Sequence, residues 1–222
     1  MKGVLRLLFD ENKFKIIDNE EKAYWLGFLE ADGYIHNGKN YDYGIELTLQ
    51  EQDYFHLVKF KNFIGRNNKI YHRENLSAFR YQFKNKTINQ DLVKLGCVSR
   101  KSLILKFPNE EQVPNNFLVP FLRGYFDGDG SFWYANKLGM NILGSQDFLK
   151  GLKNRISLFE NCSLYPVHYE KPDGAYRIQT GDKEKINAFL DLIYSDATVY
   201  LDRKYQKYLN YKECQNTKLA LC

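Results

Sequence analysis

The sequence predicts an α+β fold: two pseudo-symmetric α-β-β-α-β-β-α repeats around a two-helix interface, with an antiparallel sheet in each. Three observations predict it. "YWLGFLEADGYI" at 24–35 returns as "FLRGYFDGDGSF" at 121–132, which sets Asp32 and Asp129 97 positions apart. Downstream of each acid, stretches of period 2 and period 3.6 follow in the same order. The chain has 222 residues, of which 44% are hydrophobic, enough to bury a core.

In the first half, "DNEEKAYWLGFLEADG" reads as a helix, with Asp18 or Asn19 as its N-cap and Gly33 as a left-handed stop. A hairpin, "YIH" with "YDYGIELTLQ", follows around "NGKN". "EQDYFHLVKFKNFIG" is helical and ends at Gly65; "NKIYH" and "AFRYQFK" form a second hairpin, and "NKTINQDLVKLG" a third helix. In the second half, "PNNFLVPFLRGYFDGDG" is a helix capped by Asn115 or Asn116, with Pro120 in its first turn. "SFWYAN" pairs with "MNILG". "SQDFLKGLKNRISLF" is helical, "SLYPVHYE" and "AYRIQT" flank the turn "KPDG", and "DKEKINAFLDLIY" closes the order. The expected organisation is an N-terminal segment over 1–17, a first repeat over 18–107, a linker over 108–114, a second repeat over 115–212 and a tail over 213–222.

The net charge of +5, from 32 basic and 27 acidic side chains, permits a polyanion partner without demanding one. Aromatic residues make up 16% of the chain. Cys97, Cys162, Cys214 and Cys222 are scattered, without zinc spacing or a dense disulfide pattern, and read as reduced thiols. The opening "MKGVLRLLFDENK" is too quickly broken by charge for a signal segment, and nothing reaches the length of a membrane span. A soluble protein of the cytoplasm, the nucleoid of a prokaryotic or phage-infected cell, or an organelle matrix is expected.

Gly27 and Ala31, like Gly124 and Gly128, lie four residues apart on one helix face, and small residues there let two backbones approach. Core packing accounts for that pattern, but each helix also ends on an acid. Pairing the helices about a two-fold axis brings Asp32 and Asp129 together where both macrodipoles are negative. A divalent cation held by hard oxygens relieves the repulsion. A calcium loop starting at "DGDGSF" fails on spacing, because its sixth position is Phe132 and its twelfth is Leu138.

"WLGFLEADG" (25–33) and "LRGYFDGDG" (122–130) resemble the paired motifs of LAGLIDADG homing endonucleases in their single-chain, two-repeat form. The resemblance covers roughly residues 18–212. Trp25, Leu26, Arg123 and Glu30 depart from the motif; the final acids do not. The resemblance implies a monomer with internal pseudo-two-fold symmetry, saddle-shaped sheets in the major groove of double-stranded DNA, and double-strand cleavage with short 3′ overhangs. It implies Asp32 and Asp129 as ligands of Mg²⁺, with Mn²⁺ as a substitute, assisted by the carbonyls of Ala31 and Gly128. It points to Glu46 and Asn141 as residues ordering metal or water. It also points to Lys101 in "CVSRKS" and Lys204 in "YLDRKY" as basic residues near the scissile phosphates.

Alternation in the second hairpins places Arg80, Gln82 and Lys84 opposite Phe79, Tyr81 and Phe83, and Arg177 and Gln179 opposite Tyr176 and Ile178. Arg suits guanine and Gln adenine. Tyr34, His36, Arg73, Asn136, Lys137, His168 and Lys171 near strand ends are further DNA-binding candidates. The expected function is a sequence-specific, metal-dependent endonuclease, intron-encoded or free-standing, since no intein-like ends are present. The alternatives are a cleavage-deficient relative acting as maturase or regulator, and a purely structural module.

Overall fold

The computed structural model describes residues 9–36, 42–98, 104–159, 167–169 and 176–216, the backbone alone at 167–169. The first half runs α1 (Glu20–Asp32), β1 (Gly33–Ile35), β2 (Gly44–Gln50), α2 (Tyr54–Ile64), β3 (Ile70–Arg73), β4 (Ala78–Lys84) and α3 (Lys86–Lys94). The second runs α4 (Leu118–Asp129), β5 (Gly130–Trp133), β6 (Gly139–Gly144), α5 (Gln146–Ile156), β7 (Val167–Tyr169), β8 (Tyr176–Thr180) and α6 (Lys183–Tyr194). A further helix, α7 (Asp202–Asn216), then packs Lys204, Tyr208 and Tyr211 into the molecule.

The two sheets have the same order, β1-β2-β4-β3 and β5-β6-β8-β7, and every pairing is antiparallel. Their registers superpose: Gly33 faces Leu47 and Gly130 faces Ile142, while Leu47 faces Tyr81 and Ile142 faces Ile178. One face of each sheet is apolar and inward, with Ile45, Leu47, Tyr81 and Phe83 in the first and Phe132, Met140, Ile142 and Ile178 in the second. This is the period-2 outcome of alternating apolar and polar residues.

Helices α1 and α4 are buried nearly all round, Ala23 to Ala31 in one and Pro120 to Asp127 in the other. A helix with no polar face belongs inside a structure. The two pack against each other between the sheets. A Cβ at Gly27 would lie 2.9 Å from Tyr125 N, and one at Gly124 would lie 2.9 Å from Phe28 N; both would press still closer on the carbonyls of Phe121 and Tyr24. The contact is reciprocal, as two-fold symmetry requires.

One local alternative is decided and two local expectations change. Asn19 is the N-cap of α1, its Oδ1 accepting from Lys22 N at 3.0 Å. Gly33 is extended (φ −71°) and is no left-handed stop: α1 turns straight into β1. Its lack of a Cβ serves close packing, since a Cβ there would sit 2.7 Å from Leu29 O. Neither Asn115 nor Asn116 caps α4; a 3₁₀ turn over Asn115–Phe117 leads into it, without a side-chain cap. Gly65 does end α2 in the left-handed region, at φ 79°. Cys97 is a free buried thiol, but Cys214 is disulfide-bonded, against the expectation of reduced cysteines throughout. No helix among the described residues is long and apolar enough to cross a membrane.

Candidate active site

The final residue of α1 is Asp32 and that of α4 is Asp129. The reciprocal glycine contact brings the two helix ends together: a Cβ at Gly128 would lie 3.4 Å from Asp32 Oδ2, and would press closer still on Ala31 Cβ. Asp32 is exposed and Asp129 half-buried. Both charges are felt by the same neighbours. Burial raises the Tyr125 hydroxyl well above its ordinary range, and the Asp129, Glu30 and Asp32 charges add to that rise. Two carboxylates therefore meet at two negative dipole ends, as the sequence argument required.

Among the described residues no three His, Cys, Asp or Glu side chains cluster as a metal cage. The acid pair fits a Mg²⁺-type ion, which takes one or two carboxylates and completes its shell with water and substrate phosphate oxygens.

Beneath Asp129 lies a polar network buried in the core. Lys204, which the resemblance points to as a basic residue near a scissile phosphate, is 6% exposed. Its Nζ donates to the carbonyls of Phe126 (2.7 Å), Asp127 (2.7 Å) and Gly130 (2.5 Å). It thus caps the C-terminal end of α4 with a cation, where the dipole favours one. Burial lowers its pKa to about 8, against the pull of Asp127, Asp32 and Asp129. Its donors are committed to the helix end, so it acts on the acid pair from below. Lys101 lies outside the described residues.

Asp127 is 1% exposed, and burial raises its pKa. Its carboxylate accepts from the Tyr24 hydroxyl (2.8 Å), the Tyr194 hydroxyl (2.5 Å) and Leu201 N (2.7 Å). His56 Nε2 lies 3.0 Å from the Tyr24 oxygen. Burial pulls the His56 pKa down to about 3, with Lys59, Arg203 and Lys204 adding to it, so the ring is neutral. Tyr24 spends its proton on Asp127; His56 is therefore the Nε2–H tautomer, donating to Tyr24. Arg123 joins the halves by a second route: Nη1 reaches Glu20 Oε1 at 2.6 Å and Val199 O at 3.1 Å, and Nε donates to Ile193 O. Helix α7 is fastened to the first half by Arg203 Nε on Asp53 (2.9 and 3.0 Å) and by Lys59 on Asp202 (2.5 Å). These residues were not singled out from sequence; the one signal was the extra acid within "DGD".

The outward sheet faces hold most of the other candidates. Tyr34, Glu46 and Gln82 lie side by side across β1, β2 and β4. Ser131, Asn141 and Gln179 make the same row in the second sheet, and Ser131 Oγ donates to Asn141 Oδ1 at 2.8 Å. Glu46 accepts from Thr48 Oγ1 at 3.3 Å and stands 3.5 Å from Arg80 Nη1. His36 Nδ1 (2.6 Å) and Lys84 Nζ (2.9 Å) share the Asp42 carboxylate, so one acid engages two expected DNA contacts. Arg73 is half-buried at the end of β3, and Asn136 and Lys137 are exposed in the β5–β6 turn. Of His168 the backbone alone is described, opposite Arg177; Lys171 lies outside the described residues.

No protein-family model and no curated protein matches this sequence. Solved structures do. The LAGLIDADG meganuclease I-AabMI bound to uncleaved DNA has a TM-score of 0.64 at 12% identity, over 92% of this chain and 94% of that one. The homing endonuclease I-LtrWI bound to target DNA gives 0.61 at 14% identity, over 90% and 92%. I-GzeII in complex with its DNA target gives 0.63 at 13% identity, over 93% and 94%. Likeness over nearly the whole of each chain, at identities that leave few residues in common, is a likeness of backbone architecture: this protein has the fold of the LAGLIDADG homing endonucleases.

Proposed function

We propose that this protein is a sequence-specific, metal-dependent endonuclease that cuts both strands of a long duplex DNA site and leaves short 3′ overhangs. The observation that carries this reading is the meeting of Asp32 and Asp129 at the ends of two helices packed backbone to backbone, between two sheets with polar outer faces. The fold is shared with proteins crystallised on target DNA.

Asp32 and Asp129 would hold the ions, with the carbonyls of Ala31 and Gly128 as further oxygen donors; Lys204's three bonds do not include Gly128 O. A bound Mg²⁺ supplies an activated water and charge neutralisation at the phosphate. The chain's own residues then position. The paired helices set the separation of the two acids. Lys204 stabilises the end of α4 on which Asp129 stands. Glu46 and Asn141, at matching places on β2 and β6, orient water beside the acids. The outer faces of the sheets bind DNA, and the pseudo-two-fold axis inside one chain makes the working unit a monomer.

The test is cleavage of a pooled duplex library in Mg²⁺, with Ca²⁺ as a binding control, followed by sequencing of new ends. Breaks at one long motif with short 3′ overhangs are expected. Asp32→Asn and Asp129→Asn each should abolish double-strand cleavage while DNA retention in Ca²⁺ persists. Full cleavage by either variant would overturn the ligand roles; selective retention without breaks would move the reading to a binding-only relative.

A further inference from the structure

The superposed registers allow the outer faces of the two sheets to be compared position by position. On β4 and β8 two outward residues recur: Arg80 matches Arg177 and Gln82 matches Gln179, each 97 residues apart, as the two acids are, whereas Lys84 at the end of β4 is matched by Gly181 just past β8. On β2 and β6 they differ: Thr48 beside Arg80 is matched by Leu143 beside Arg177, and Glu46, which stands beside Gln82 and 3.5 Å from Arg80 Nη1, by Asn141 beside Gln179. At the next row Tyr34 is matched by Ser131.

We propose that the DNA site is two-fold symmetric, as an inverted repeat, at the base pairs reached by the Arg80/Arg177 and Gln82/Gln179 pairs and departs from that symmetry at those reached by Thr48/Leu143 and Tyr34/Ser131. The inference rests on the duplex-cutting reading above. The operation that exchanges the sheets also exchanges Asp32 with Asp129, so its axis passes through the acid pair. A duplex centred there presents antiparallel strands related by the same operation. The same side chains at matching register positions therefore meet the same bases, one on each strand, equally far from the centre. Arg presents a fork that fits guanine O6 and N7, and Gln fits adenine N6 and N7. Along a strand the two residues are about 6.8 Å apart, which spans about two base-pair rises of 3.4 Å. The differing positions read by other chemistry: Leu143, 42% exposed, offers an apolar contact suited to a thymine methyl, whereas Thr48 carries a hydroxyl.

The test is the base preference at each site position, measured by binding of randomised duplexes in Ca²⁺, for the natural protein and for Arg80→Ala, Arg177→Ala, Gln82→Ala and Gln179→Ala. The natural protein should select one long site. Arg80→Ala should relax a guanine by about 5- to 150-fold, and Arg177→Ala the two-fold-related guanine on the other strand. The glutamine variants should relax a two-fold-related pair of adenines two steps away. Arg80→Lys and Arg177→Lys keep the positive charge, and with it attraction to phosphate, and should show the same two-fold relation if the alanine variants bind too weakly. Relaxed positions at unequal distances from the centre, or different bases at the two arginines, would overturn the inference and leave the endonuclease reading standing. A natural protein that retains no duplex selectively would overturn both.

Discussion

Replacing Gly124 with alanine tests the helix pairing on which the site depends. In an isolated helix the change should stabilise, because Ala is favoured over Gly by about 0.8–1 kcal/mol. Here the new methyl meets the opposing backbone: Phe28 N would be 2.9 Å away and the Tyr24 carbonyl nearer still, where ordinary van der Waals contact begins at 3.4 Å. No rotamer change relieves a clash with backbone, so the helices must separate by about 0.5–1 Å, which forfeits a quarter to a half of each close contact they make. Overpacking of this kind costs about 1–3 kcal/mol beyond any propensity gain, or about 2–4 °C in Tm per kcal/mol for a chain of this length. Guanidinium and thermal unfolding read the change. The same separation relieves the reciprocal clash at Gly27, so Gly27→Ala combined with Gly124→Ala should cost less than the sum of the single variants. Gly124→Ala at or above natural stability would refute the close approach of α1 and α4.

Stability should also fall in mild acid through His56. Its folded pKa of about 3 lies below the ordinary 6.5, so the unfolded chain takes up a proton that the folded one refuses. The resulting loss begins as pH drops through 6.5, is complete near 3, and amounts to at most about 5 kcal/mol. His56→Gln should flatten the stability profile between pH 6.5 and 5; an unchanged slope would place the sensitivity elsewhere. DNA retention should weaken steeply with salt, because a duplex lying across both sheets releases many counterions; titrations from 50 to 300 mM salt check this, and a flat profile would count against sheet-in-groove docking. Sedimentation should give a monomer, whereas a stable dimer would mean that the internal pairing does not complete the site.

The doubled motif was legible because it is local. Two apolar helices, each ending on an acid, with a glycine at the same place in both, can be read within a dozen residues. The strand faces were legible for the same reason: "AFRYQFK" and "AYRIQT" alternate cleanly, and the structure turns Arg80, Gln82, Arg177 and Gln179 outward and Tyr81, Phe83 and Ile178 inward. What failed were inferences about ends. Gly33 was read as a left-handed stop because glycine usually marks one, yet here it makes room for Leu29. The depth of Lys204 was not legible either, although its place beside the acid-bearing helix end is where its position after a helix puts it: position along the chain carries no information about depth.

The sequence by itself determined the repeat, the order of elements, the two acids and the polar outer strand faces, because each is written in periodicity or in a motif that neighbouring residues complete. Only the tertiary structure decided how the acid pair is supported. Tyr24, Asp127, Tyr194 and Lys204 come from four helices, and Tyr24 and Asp127 alone are 103 residues apart. Nothing local marks them as partners. Burial brings them together: each is removed from water, and each must then find its hydrogen bonds among groups that only the folded chain brings within reach.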